Sequence, residues 1–459
     1  MTDLHDELLP TTRRALLHRV AVAQAEGRTP SFVAAVVRDG KVVWTGARSM
    51  IADHAPTADV QYRIGSLTKT FVAVLVLRLR DEGLLDLGDP LGRHLPGTPA
   101  DEATVAQLLS HASGLTAETP GPWWERTEGT LRPELADILE DDRPLRHPAG
   151  HRHHYSNPGY ALLGALVGRL RGEPWGEVLR RELLEPLGMD RTTLLPQHPH
   201  AGGFAVHPWA DVMLPEPLTD TGLMGPAGQL WSTTADLARW AAFLARGDAK
   251  VLAAASLAEM RRPAVGPDDA DWSGGYGLGL QLLRRDGRVL FGHSGSMPGF
   301  TAGLWISEDD GLAAVALSNA TSGPNTPLVA ADLIAITAEH EPRLPEPWHP
   351  LPSVDEELLA LTGPWYWGAA AHVLRLRADR GLELAPLAAG TRASRFRAEP
   401  DGTWTGLDGY YAGETLRVVR AADGSVSHLD LNSFVLTREP YGPTDAVPGG
   451  IDPQGWRAG

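Results

Sequence analysis

Apolar residues in the first 26 positions recur at helical spacing. Leu4, Leu8, Leu16, Leu17 and Val20 fall near one face, so residues 3–26 predict an amphipathic helix. Two short apolar runs, 32–37 and 42–45, flank Asp39-Gly40, the signature of a β-hairpin. Residues 67–82 are largely apolar and stop at Gly83, which predicts a long helix closed by glycine. Residues 100–245 predict mostly helix, broken by loops rich in Pro, Gly and His. Runs at 277–283, 289–293, 301–306 and 312–319 predict strands, with Asp309-Asp310-Gly311 as a turn, and 328–339 predicts a closing helix.

The pattern then changes. Residues 341–352 hold Pro342, Pro345, Pro347, Pro350 and Pro352, a density that forbids helix, disfavours sheet and makes a stiff linker. Beyond it, short strand-like runs at 373–377, 382–384, 404–406, 416–419 and 433–436 are separated by Gly and Asp. They predict an all-β barrel or sandwich. The domain plan is therefore 1–340 for a mixed helix-and-strand domain, 341–353 for a Pro-rich linker, and 354–459 for a β-barrel-like domain.

The chain has 459 residues, 43% hydrophobic and 21% charged, which is ordinary for a globular protein. A formal net charge of −16 disfavours a nucleic acid partner. With no cysteine there is no disulfide, thiolate metal site or cysteine nucleophile. No apolar run reaches the ~18–20 residues of a membrane span, so no membrane partner is expected. The first residues, Met1-Thr2-Asp3-Leu4-His5-Asp6-Glu7, are acidic where a signal peptide is basic and then apolar, so a cytoplasmic location is expected. One detail weighs more than these totals. Only Lys41, Lys69 and Lys250 are lysines, among 41 basic residues. A lysine kept in an apolar setting against that bias stands where arginine cannot serve.

That lysine is Lys69, in Ile64-Gly65-Ser66-Leu67-Thr68-Lys69. At i, i+3 on a helix, Ser66 and Lys69 share a face about one turn apart, at the positive end of the helix dipole. A serine needs a base to become a nucleophile. A buried lysine can lose its charge and act as that base, whereas arginine cannot deprotonate in a protein. The bland alternative is a capping serine followed by a snorkelling lysine. A second candidate is Tyr155-Ser156-Asn157-Pro158-Gly159, ahead of a helix over 160–170. In an extended stretch Tyr155 and Asn157 point the same way. A phenol whose pKa cations lower can move protons, and an amide can orient a carbonyl. The alternative here is an Asn-Pro-Gly turn beside a core tyrosine.

The third candidate is Gly292-His293-Ser294-Gly295-Ser296, at the end of a strand. It nearly spells a nucleophile elbow around Ser294. Its last position is serine, however, and Pro298-Gly299 lead into another strand where an elbow needs a helix. The better reading is a strand lining a cleft, with His293 as a polar or cationic group and Gly295 allowing close backbone approach. The crowded histidines His147, His151, His153 and His154 lack metal-ligand spacing and read as a solvated loop, so no metal is expected. His111 reads as a satisfied structural histidine, Trp123-Trp124 as a cover over the cleft or the helical region, and Trp365-Tyr366-Trp367 as barrel core.

Ser66-x-x-Lys69, Tyr155-x-Asn157 and His293-x-Gly295 together resemble the penicillin-recognising serine enzymes, which include class C β-lactamases, DD-peptidases, D-aminopeptidases and related esterases. Leu108-Leu109-Ser110-His111-Ala112-Ser113-Gly114-Leu115, Glu185-Pro186-Leu187-Gly188-Met189, Gly228-Gln229-Leu230-Trp231-Ser232-Thr233 and Tyr276-Gly277-Leu278-Gly279 carry the same likeness, which covers roughly residues 10–340. The histidine of the third motif, where class C β-lactamases usually have lysine, matches DD-carboxypeptidases, D-aminopeptidases and esterase-like relatives. The resemblance implies an α+β fold: an antiparallel sheet flanked by helices, with a helical subdomain inserted. The C-terminal part resembles, more weakly, the lipocalin-like domain of some esterase and D-peptidase relatives, and is expected to wall the cleft.

The resemblance also implies acyl transfer without a cofactor. Ser66 is the acylated residue, and Lys69 and Tyr155 share the general-base work. Backbone N–H groups of Ser66 and Ser296 form the oxyanion hole. Asn157 positions the acyl chain, beside Gly295, and Tyr155 with His293 protonates the leaving group. The expected substrates are small esters or D-residue peptides. The alternative is a penicillin-binding-protein-type thioesterase that cyclises a nonribosomal peptide, with a peptide carrier protein as partner.

Overall fold

The computed structural model describes residues 8–51, 56–264, 273–345, 347–353, 355–388, 392–442 and 444–446. Two compact units divide the chain, residues 1–343 and residues 344–459.

The first unit is framed by seven antiparallel strands: β1 (Ser31–Arg38), β2 (Lys41–Ser49), β3 (Gly274–Tyr276), β4 (Gln281–Arg285), β5 (Arg288–Met297), β6 (Phe300–Ser307) and β7 (Leu312–Ser318). Their spatial order is β2-β1-β7-β6-β5-β4-β3. The β1–β2 turn has Asp39 at φ 47° and Gly40 at φ 80°, both left-handed, as a two-residue hairpin loop requires. β1 pairs with β7 from Phe32↔Ser318 to Arg38↔Leu312, so the long segment between β2 and β3 is an insertion into one sheet.

Alternation along β1 builds two cores. Phe32, Ala34 and Val36 join Leu16, Val20, Leu333 and Ile334 on one face. Val33 and Val37 join Phe71, Leu237 and Trp240 on the other. Helices α1 (Pro10–Glu26) and α5 (Thr326–His340) cover the first face, and α4 (Thr234–Arg246) packs on the second. Helix α2 (Thr68–Asp81) is buried continuously from Thr68 to Leu77, and packs against α3 (Asn157–Arg171). Phe71 of α2 stacks on Trp240 with ring centroids 3.8 Å apart.

The structure differs from the sequence reading in places. Helix α1 begins at Pro10, Leu4 lies outside the described residues, and Leu17 is exposed while Leu8, Leu16 and Val20 are buried. The run at 277–283 is not one strand. Gly279 at φ 77° turns the chain between β3 and β4, which pair with each other as Tyr276↔Gln281. Within 100–245 a small hairpin, Phe204–Val206 with Met213–Pro215, interrupts the helices. Among the described residues no helix is long and apolar enough to cross a membrane.

The second unit opens with a short helix, Glu356–Leu361, followed by eight antiparallel strands, β8 (Gly363–Trp367), β9 (Ala370–Leu376), β10 (Leu382–Pro386), β11 (Ser394–Ala398), β12 (Trp404–Gly406), β13 (Thr415–Arg420), β14 (Val426–Leu431) and β15 (Phe434–Leu436). Each pairs with the next in sequence. Tyr366 of β8 exchanges backbone hydrogen bonds of 2.7 and 2.9 Å with Thr437, just past β15, so the meander is nearly closed into a barrel. Trp365 is a fully buried core residue beside Leu374, Leu384 and Phe396, whereas Trp367, two positions on, is 39% exposed.

Candidate active site

Gly65–Leu67 form one 3₁₀ turn, and α2 starts at Thr68. This presents Ser66 at the head of a buried helix, with Lys69 one turn inside. Lys69 is completely buried, with Nζ 3.0 Å from Ser66 Oγ, 2.7 Å from Asn157 Oδ1 and 2.6 Å from the Ala227 carbonyl. The amide and carbonyl oxygens only accept. An ammonium therefore donates to all three neighbours. A neutral amine gives its two N–H groups to Asn157 and Ala227, and its lone pair is left facing the Ser66 hydroxyl. Burial pushes Lys69 down from 10.5 to about 7, against the opposing charges of Glu118 and Glu125.

Helix α3 begins at Asn157, three residues earlier than the sequence pattern predicts. Ser156 Oγ caps it by accepting the Gly159 N–H at 3.1 Å, which makes the Asn-Pro-Gly segment a first helical turn. Asn157 Nδ2 donates to Glu118 Oε1 at 2.8 Å, and this bond orients the amide so that its oxygen meets Lys69. Tyr155 lies on the same side: Lys69 Nζ sits 4.9 Å from its ring centroid, and its phenol is hydrogen-bonded to Ser66. Cations would ease proton loss from a phenol, but at Tyr155 the balance runs the other way. Burial raises it well above the ordinary 10, the Ser66 bond opposes this in part, and Glu118 and Glu125 add smaller rises. The phenol is thus a proton donor at neutral pH.

The other wall is β5. Met297 and Phe300 close a two-residue turn at Pro298-Gly299, so Ser296↔Thr301 is a pair whose backbone groups point away from β6. The Ser296 N–H is thereby directed to the edge where Ser66 lies. The approach is tight. A Cβ on Gly65 would stand 2.5 Å from Ser296 N, and one on Gly295 would stand 1.9 Å from the Ile64 carbonyl. Both glycines are there because backbone meets backbone. His293 is fully buried, its Nε2 2.9 Å from Tyr276 Oη and its Nδ1 2.5 Å from the Ser294 carbonyl. Burial and the Lys69 charge push it down to about 3. Of the two roles foreseen for His293, polar and cationic, the neutral polar one fits this setting.

Ser66, Lys69, Tyr155, Asn157, Gly295 and Ser296 thus converge on one place, and His293 stands behind them. Ser294 lies within β5, donating its N–H to Gln281 Oε1 at 2.9 Å, so the strand-to-helix geometry of an elbow is absent there. His111 is only half-satisfied. Its Nδ1 accepts the Ser156 N–H at 3.0 Å, while Nε2 is buried without a hydrogen-bond partner. Trp124 is buried and donates to Glu118 Oε2 at 2.7 Å, and Trp123 is half-exposed. Among the described residues no three His, Asp or Glu converge as a metal site. Sequence reasoning missed Glu118, Glu125 and the Ala227 carbonyl, which carry no local motif signal, and gave no role to Tyr276 although it opens the Tyr276-Gly277-Leu278-Gly279 segment; only folding brings them to Lys69 and His293.

This Ser–Lys–Tyr cluster around a buried lysine, set between a helical insertion and the edge of an antiparallel sheet, matches a known class. Residues 16–339 match the family profile described as Beta-lactamase, and the chain belongs to that family. Residues 354–438 match a profile described as a domain of unknown function, DUF7586. Penicillin-binding protein 4 of Amycolatopsis lactamdurans is 30% identical over 329 residues, covering 66% of this chain and 84% of that protein. The octameric penicillin-binding protein homologue from Pyrococcus abyssi shares the fold, with a TM-score of 0.63 at 21% identity over 93% of this chain and 100% of that one. The D-amino acid amidase of Ochrobactrum anthropi SV3 in complex with D-phenylalanine gives a TM-score of 0.61 at 25% identity, over 72% of this chain and 98% of that one.

Proposed function

We propose that this protein is a serine acyl hydrolase that works through an acyl-Ser66 intermediate on small amides or esters, with D-residue amides and peptides as the preferred class. The observation that carries the reading is the Lys69 amine. It is held by two acceptors that leave its lone pair for Ser66, and burial brings it to about 7. Lys69 takes the hydroxyl proton as Ser66 Oγ attacks the carbonyl carbon. The N–H groups of Ser66 and Ser296 receive the oxyanion. Tyr155, which burial keeps protonated, gives its proton to the leaving nitrogen or oxygen, and Lys69 restores it. Water then attacks the acyl-enzyme by the same route in reverse. Asn157, tied to Lys69 and Glu118, keeps a second Nδ2 proton for a substrate carbonyl. The D-residue preference draws on the likeness to D-amino acid amidase.

Two measurements test this. A fluorophosphonate or a β-lactam, followed by peptide mass mapping, is expected to place the adduct on Ser66; an adduct on Ser294 overturns the assignment. A panel of aryl esters, D- and L-amino acid amides and peptidyl thioesters then sorts the substrate class. Turnover of D-amides above their L-enantiomers supports the proposal. Cyclic products from the thioesters alone replace it with acyl transfer to an internal amine.

A further inference from the structure

The half of β5 that faces Ser66 is poorly held by the sheet. Strand β4 pairs with β5 only from Arg288 to Gly292, so His293–Met297 has a strand neighbour on one side, β6. On its open edge two side-chain bonds replace the missing strand: Gln281 Oε1 on the Ser294 N–H at 2.9 Å, and Tyr276 Oη on His293 Nε2 at 2.9 Å. These two bonds lie two and three residues from Ser296, on the strand that presents its N–H.

The direction of the second bond follows from its neighbours. The Ser294 carbonyl can only accept, so the His293 Nδ1 facing it at 2.5 Å carries the proton. A neutral His293 then has only a lone pair on Nε2, and Tyr276 donates to it. Tyr276 is itself wedged in place. It is buried, and its ring meets His111 in a T-shaped contact at 4.7 Å. His111 in turn lies 4.1 Å from the Tyr155 ring and accepts the Ser156 N–H between Tyr155 and Asn157. Tyr276 therefore connects the loop that carries Tyr155 and Asn157 to the strand that carries Ser296.

We propose that Tyr276 is a positioning residue for the reaction, whose hydroxyl holds neutral His293 and, through it, the open edge of β5 that presents the Ser296 N–H to Ser66. It rests on the acyl-Ser66 reading, because what it positions is the oxyanion donor.

The test is a double-mutant cycle of Tyr276→Phe and His293→Gln, read with an aryl ester, or by the rate of fluorophosphonate labelling at Ser66 if turnover is too slow. Phenylalanine keeps the ring and its packing and removes only the donor. Tyr276→Phe is expected to lower kcat about tenfold, the scale of one hydrogen bond, with KM within about twofold. In the His293→Gln background it is expected to cost nothing further, since it acts through His293. Full activity in Tyr276→Phe alongside loss in Tyr276→Leu reduces the role to packing and overturns the proposal, as do losses that add. A readout free of substrate and of variants accompanies the cycle. The ¹⁵N spectrum of His293 in the unsubstituted protein is expected to show Nδ1 protonated and Nε2 unprotonated and accepting a hydrogen bond. A protonated Nε2 overturns the proposal even if the variants fail to fold. Failure of Ser66 to label at all counts against the acyl-enzyme reading, and the spectrum separates the two.

Discussion

Replacing Glu118 by Gln removes one negative charge from the neighbourhood of Lys69. The amide keeps an acceptor for Asn157 Nδ2 and gives up the bond from Trp124 Nε1, both of which Glu118 now accepts. The carboxylate is the leading charge that opposes the burial-driven fall of Lys69. Its distance from Nζ follows from the bonded path. Two hydrogen bonds of 2.7 and 2.8 Å lie on either side of the Asn157 amide, which puts the charges about 7 Å apart. At an effective dielectric of ~20 that is about 2 kcal/mol, or roughly 1.5 pH units. Glu118 raises the lysine, so its loss lowers it. The acid limb of kcat/KM, set by deprotonation of Lys69 and expected near pH 7 in the unsubstituted protein, should move to about pH 5.5 in Glu118→Gln. At pH 6 this makes roughly eight times more lysine neutral. The assay is kcat/KM, or the rate of fluorophosphonate labelling of Ser66, from pH 4.5 to 9. A limb that stays in place or moves to higher pH would refute Lys69 as the titrating base.

Three further outcomes are expected. Lys69→Arg should lose about 100-fold or more in kcat/KM, close to Lys69→Ala, because the guanidinium keeps its charge but accepts no proton; retention of most activity would leave the lysine as a mere anchor. Gly295→Ala puts a methyl 1.9 Å from the Ile64 carbonyl, so β5 must move away from Ser66; Ser66 labelling should slow at least about tenfold, and an unchanged rate contradicts the tight backbone contact. A chain ending at Arg343 retains the two cores of the first unit and every site residue. It should fold cooperatively and still acylate Ser66 with a small ester, and loss of labelling in a still-folded truncation would show that residues 344–459 supply part of the machinery.

Local physics made much of this protein legible before folding. The turn at Asp39-Gly40 and the apolar run ahead of Gly83 each depend on neighbours close in sequence, and each is where the pattern places it. Ser66 and Lys69 are three residues apart, so one helical turn suffices to make them a pair, and the scarcity of lysine marked the residue whose chemistry arginine cannot perform. The change of pattern after the proline-rich stretch likewise announced a second, all-β unit. What remained hidden depends on contacts between distant residues. The proton affinities of Lys69 and Tyr155 come from burial and from Glu118 and Glu125, and that of His293 from burial and the Lys69 charge, groups that no spacing links to one another. Residue type alone left open a phenol lowered by cations at Tyr155, where desolvation raises it. The open edge of β5 and the Tyr276–His293 bond depend on where strand pairing ends and on how the strands pack, which no spacing specifies. Spacing along the chain chose the reacting pair. The charge each group bears, and the direction in which its proton or lone pair faces, were decided only when the sheet edge and the helical insertion closed around that pair and buried Lys69.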